Sequence, residues 1–250
     1  MAIQVQLAGR ISVRCDKKLL PLAGMGGVLG RMILVHLSLT PHPISRNLLI
    51  DALWPDNSPP STDSVLNATF SRLRKGFSAI GFDAKNLIIS NGGSVEIRWP
   101  EETRIDLRTT TRAIDDAEAA YHKKDMALAL RGATISYAIS RNPILPGIDR
   151  IWLDSERTRQ NQILERSLNI LCDVWDFRNE LDNSLLMAQT LLRVSPYSQQ
   201  AIQKVVRTYL KMDDYPAAYV ALTKYEELIS TDLGIRDTKN LRAWFKEISV

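Results

Sequence analysis

Six side chains between positions 64 and 75 have the types and spacing to read a nucleic acid. Ser64, Asn67, Ala68, Ser71, Arg72 and Lys75 recur at three- and four-residue intervals, so a helix would gather them on one face. Ser and Ala are short and permit close approach. The Asn side chain matches the donor and acceptor edge of adenine, and Arg or Lys reaches guanine or phosphate. Arg74 falls at the edge of the same face. An ordinary amphipathic helix also turns a charged face to water, so this stretch has to be judged with its neighbours.

Other candidate chemistries are weaker. Gly24, Gly26, Gly27 and Gly30 precede a helical pattern, with Asp51 about twenty residues on, which imitates a dinucleotide fingerprint. Read from Gly24 the spacing is one residue too long, and no parallel strand follows; the glycines read instead as a flexible entry to a first helix. Glu118 and His122 stand four apart, but two ligands do not make a zinc site. Asp115-Asp116 and Glu226-Glu227 are adjacent pairs that point to different sides of a helix and read as solvated charge. No Ser, Cys or Lys nucleophile comes with a base and an orienting group. The chain therefore reads as a non-enzyme with no metal and no cofactor. Trp54 and Trp152 flank apolar helix positions and read as core anchors rather than ligand-stacking groups.

The elements that would position the six residues follow from periodicity. Ser61 to Ile80 is a helix whose inner stripe is Leu66, Phe70, Leu73 and Phe77, with Ser61, Thr62 or Asp63 available as N-cap. Asn86 to Trp99 follows as two strand-like runs around Asn91-Gly92-Gly93-Ser94, a strong hairpin signal. Upstream, Ile3 to Leu22 alternates apolar and polar residues as a small antiparallel sheet, and a helix extends to Leu39. Pro41 and Pro43 break the chain before a second helix with Ile44, Leu48, Leu49 and Leu53 as its apolar positions. A loop over 56–60 leads into the third helix. Sheet, helix, helix, loop, helix and hairpin is the order of a winged helix-turn-helix.

Pro100 to Thr103 reads as a boundary, giving domains over 1–103 and 104–250. Beyond it seven helices are expected: 106–123, 125–140, 151–179, 184–194, 199–212, 216–230 and 239–248. Asp182-Asn183 and Asp213-Asp214 open two of them 31 residues apart, loosely in the manner of tetratricopeptide hairpins. Residues 1–100 hold 11 Lys and Arg against 6 Asp and Glu, whereas residues 101–250 hold 21 against 22. The positive excess lies with the candidate reader, where it favours phosphate. No apolar run approaches the length of a membrane span and the N-terminus lacks a signal core, so a cytoplasmic protein without a membrane partner is expected. Cys15 and Cys172 sit in no paired spacing and read as reduced thiols.

Taken together these pieces resemble the SARP family of bacterial transcriptional activators (AfsR/DnrI/RedD type), in which an OmpR-like winged helix precedes an all-helical bacterial transcriptional activation domain. The resemblance rests on Ile44 to Asp56, on Phe70-Ser71-Arg72-Leu73-Arg74-Lys75, on Gly92-Gly93, and on Ile105-Asp106-Leu107, Trp152-Leu153 and Leu233-Gly234-Ile235. Gly26 and Gly27 replace the usual basic residue before the first helix, and Ser94-Val95 replaces the expected wing tyrosine. No receiver, ATPase or phosphopeptide-binding extension is visible in the 250 residues.

The resemblance implies an α+β winged helix followed by an all-α, tetratricopeptide-like unit that activates transcription. It further implies binding to direct promoter repeats as two protomers and recruitment of RNA polymerase through the loop over 56–60 and the helical module. The expected DNA contacts are Ser64, Asn67, Ser71, Arg72, Arg74, Lys75, Asn91, Gly92 and Gly93, with Arg72, Asn67 and Ser71 nearest the bases and Arg74 and Lys75 on phosphates. The rival readings are a helical adaptor whose winged domain binds protein, and a nucleotide-dependent enzyme built on Gly24 to Gly30.

Overall fold

The computed structural model describes residues 2–56, 59–235 and 237–248. Its first sheet is set by alternation: β1 (Ile3–Gln6) and β2 (Ser12–Cys15) run antiparallel with Val5 opposite Val13, and bury Ile3, Val5, Val13 and Cys15 on one side. β3 (Lys18–Leu19) extends this sheet. A 3-10 turn over Leu22–Met25 then leads into α1 (Gly27–Leu39), which ends before the two prolines.

The chain next forms a two-residue strand, β4 (Ile44–Ser45), where the sequence suggests only a helix start. Ser45 caps α2 (Arg46–Leu53) by accepting the Leu48 amide at 3.1 Å. Leu49 and Leu53 are buried, but Leu48, expected on the same apolar stripe, is 60% exposed. Of the loop expected over 56–60, positions 57 and 58 lie outside the described residues. α3 (Thr62–Ala79) is followed by the short helix α4 (Ala84–Leu87), which occupies part of the expected first wing strand. The wing is β5 (Ile88–Asn91) and β6 (Ser94–Ile97), and β4 joins it to give the order β4-β6-β5.

β7 (Arg104–Ile105) pairs parallel with β1, placing Ile105 opposite Val5 and closing the first sheet as β3-β2-β1-β7. From sequence, Ile105 opens the second module. In the structure it belongs to the first core, because an apolar residue beside Val5 completes the buried side of that sheet.

Among the described residues seven helices follow: α5 (Asp106–His122), α6 (Met126–Ser140), α7 (Ile151–Phe177), α8 (Leu181–Val194), α9 (Gln199–Lys211), α10 (Tyr215–Leu233) and α11 (Lys239–Ile248). Two compact units result, residues 1–109 with 142–160, and residues 110–141 with 161–250. The chain does not divide at 103/104. Segment 142–160 belongs with the winged helix: Gly9 donates to the Pro143 carbonyl at 2.9 Å, Arg150 to that of Leu53 at 3.1 Å, and Ile144, Leu145 and Leu153 join the core of Leu34 and Phe70. The Arg157 guanidinium gathers the carbonyls of Ile144, Leu145 and Ile148, fixing the loop between. Trp54 and Trp152 pack against this core, Trp152 edge-on to His36 at 4.6 Å. Half-buried Asp106 accepts the amides of Leu7, Ala8 and Leu107; these bonds favour its charged form, yet desolvation prevails and pushes its carboxyl up.

The second unit is helical hairpins with a common start. Lys124, Asn179 and Asp213 each take a left-handed backbone, followed at once by the acidic caps Asp125, Glu180 and Asp214. Asn179 and Asp213 are 34 residues apart, the tetratricopeptide period. The sequence pairing of Asp182 with Asp213 is thus off by one helical turn, since Asp182 lies inside α8. Among the described residues no helix is long and apolar enough to cross a membrane.

Candidate nucleic-acid interface

The inner stripe of α3 is buried as expected, with Leu66, Phe70, Leu73 and Phe77 each at most 1% exposed. A close backbone contact adds to it. A Cβ on Gly76 would stand 2.4 Å from the Gly24 carbonyl oxygen, and one on Gly30 would stand 1.9 Å from that of Met25. Gly24, Gly30 and Gly76 are therefore small because α3, the 3-10 turn and α1 nearly touch, and the stretch is a tight seam rather than a flexible entry. Only Gly26 and Gly27 serve the turn itself, with φ of 71° and 73°.

The opposite face of α3 presents Ser64, Asn67, Ala68, Ser71, Arg72 and Lys75 to solvent together. Among the described residues, Arg72 and Lys75 enter no ion pair, so both cations are available to an outside anion. Asn67 is held. Arg46 Nη2 donates to Asn67 Oδ1 at 2.9 Å and to the Asp63 carbonyl at 3.0 Å, while its Nε reaches the Asp63 carboxylate at 2.6 Å. The Asn67 oxygen keeps a second lone pair and its amide group both protons, so the side chain is oriented and still able to donate and accept.

The same Arg46 donates its backbone amide to the Gly93 carbonyl at 2.8 Å. One residue thus links α2, α3 and the wing turn. Sequence reasoning missed it, because Asp63 and Asn67 lie 17 and 21 residues away and no local pattern joins them.

Arg74 does not stand with Lys75. Its Nε and Nη2 donate to the Ile88 carbonyl at 3.2 and 2.8 Å, and its guanidinium lies over the Phe70 ring at 5.9 Å. It ties α3 to β5, which differs from the phosphate contact expected from its position in sequence. At the wing tip Gly92 and Gly93 have φ of 58° and 79°, the two positive values of a type I′ turn, and Asn91 pairs with Ser94 across it. Asn91, Gly92 and Gly93 are all exposed.

Elsewhere three of the charged candidates, Asp115, Glu118 and Glu226, are engaged within the helical unit. Glu118 receives Arg166 Nε and Nη2 at 2.7 and 2.6 Å, and Asp115 takes the same guanidinium. Glu226, expected to be solvated, is 8% exposed and paired with Arg242. Among the described residues no three His, Cys, Asp or Glu side chains cluster as a metal site.

No family model matches the chain. Over 99% of its length it is 19% identical to Transcriptional regulatory protein MoaR1 of Mycobacterium tuberculosis (strain ATCC 25618 / H37Rv), covering 79% of that protein. Among solved structures, Mycobacterium tuberculosis EmbR in complex with a low affinity phosphopeptide superposes with a TM-score of 0.81 at 20% identity. That match covers 98% of this chain and 64% of the EmbR chain, and it shows a shared fold.

Proposed function

We propose that this chain, similar in sequence to the transcriptional regulatory protein MoaR1 and in fold to EmbR, is a SARP-type regulator that acts on transcription by binding double-stranded promoter DNA. The observation that carries the reading is the joined surface of α3 and the wing: six small, polar or basic residues exposed together, one of them pre-oriented by Arg46, beside a glycine turn tied to the same helix. α3 would enter the major groove with Asn67, Ser71 and Arg72 at base edges and Ser64 and Lys75 toward the backbone, while Asn91, Gly92 and Gly93 lie along an adjacent groove or strand.

Activation extends this reading. Two protomers would sit side by side on direct repeats and engage RNA polymerase through the segment preceding α3 and the helical unit, acting in the cytoplasm. The test is footprinting with the whole chain on upstream regions of neighbouring operons, with Asn67→Ala and Arg72→Ala alongside. Protection of a repeated sequence that both variants lose supports the reading. Undiminished protection by both variants removes α3 as the reader, and no binding to any promoter fragment at low salt favours the protein-binding adaptor.

A further inference from the structure

Within the helical unit, α8, α9 and α10 enclose an apolar groove with a cavity volume of about 350 Å³, walled by Leu192, Ala221 and Leu228. That volume falls in the range of roughly 300–1,000 Å³ typical of small-molecule sites. Four polar side chains break its apolar lining, Gln189, Tyr209, Lys224 and Tyr225, and the Tyr225 hydroxyl already donates to the Tyr197 carbonyl at 2.9 Å. Gln189 Nε2 donates to the Tyr209 hydroxyl at 2.9 Å, so the phenol oxygen accepts there and its own proton is left to donate. Lys224 enters no ion pair among the described residues.

We propose that this groove binds a small anionic amphiphile, its acid head held by the Tyr209 hydroxyl and the Lys224 ammonium and its apolar body lying along Leu192, Ala221 and Leu228. The donor set decides the class. A carboxylate accepts from both groups at once, an alcohol leaves the ammonium without its counter-charge, and an amine is repelled by it. A partner helix would need a continuous apolar face, whereas the Tyr209 hydroxyl and the Lys224 ammonium interrupt the lining of this groove and supply the donors and the charge that an acid head requires.

The experiment titrates the whole methyl-labelled chain with octanoate and 4-phenylbutyrate and with the alcohol and amine matched to each, following the Leu192 and Leu228 methyl resonances. Saturable shifts at these methyls are expected with the acids, with affinity at least roughly tenfold above the alcohols and no binding of the amines. Lys224→Gln should abolish that preference for acid over alcohol, Tyr209→Phe should reduce it, and neither should disturb methyls elsewhere. If the amines bind as tightly as the acids, or neither acid gives saturable shifts at millimolar concentration, the proposal is overturned. It is equally overturned if these methyls respond only to an amphipathic helical peptide, or only to the concentration of the chain itself, because the groove would then belong to a protein partner or a second copy.

Discussion

Arg46, Arg72, Arg74 and Lys75 carry the same formal charge, and their surroundings assign them different tasks. Arg72 and Lys75 face solvent without a partner among the described residues. Lys75→Ala should therefore weaken binding to all sequences and lower the salt slope by about one unit, whereas Arg72→Ala should lose about 1–3 kcal/mol of discrimination at one base position. Arg74 is held by the Ile88 carbonyl. Arg74→Met should lower affinity by loosening the wing while leaving the salt slope unchanged, which gel-shift titrations across ionic strength would reveal; a slope reduced as for Lys75 would return Arg74 to the phosphate contacts. Cys172 offers a check on burial, since desolvation raises its thiol to about 12. It should stay unmodified by a thiol reagent at neutral pH until the protein is denatured.

At the level of elements, α3 is positioned by apolar packing on one side and by the glycine seam beneath it. Phe70→Ala should cost roughly 3–5 kcal/mol in chemical denaturation, because its ring is fully enclosed. Gly76→Ala is a finer probe. The added methyl meets the Gly24 backbone rather than a flexible side chain, so α3 or the 3-10 turn must move, at a cost of about 1–3 kcal/mol. α1 contributes a pH dependence through His36, which burial against Trp152 holds below its usual pKa. The unfolded chain takes up this proton more readily than the native one, so stability is present above the unfolded pKa of about 6.5 and is lost as pH falls through it. Melting curves between pH 7 and 5 should show this loss, and His36→Phe should flatten it.

For the molecule as a whole, the return of 142–160 to the winged helix changes what a truncation tests. Residues 1–103 contain every expected DNA contact but lack β7, Asp106 and the Ile144, Leu145 and Leu153 side chains that complete the first core. That fragment should unfold well below the first unit of the full chain in thermal denaturation. Arg157→Ala in the full chain should shift the same transition, because three carbonyls lose their shared donor. A fragment 1–103 as stable as the first unit in the full chain would show that the returning segment adds little.

The sequence by itself determined the order of sheet, helices and wing, the buried stripe of α3, the exposed polar and basic face opposite it and most helices of the second unit. These properties are local: period 3.6, period 2, proline breaks and a Gly-Gly turn are written in neighbouring residues. Tertiary structure alone decided what depends on residues far apart in the chain. Arg46 reaches Asn67 from 21 positions away, Gly76 meets Gly24 from 52, and β7 finds β1 from about a hundred. Arg74 and Lys75 are neighbours of like charge, and the Ile88 carbonyl and the Phe70 ring, which engage only the first, distinguish them. Such pairings arise when the assembled core brings a donor within about 3 Å of an acceptor, or one backbone against another, and no periodicity in the chain encodes that distance.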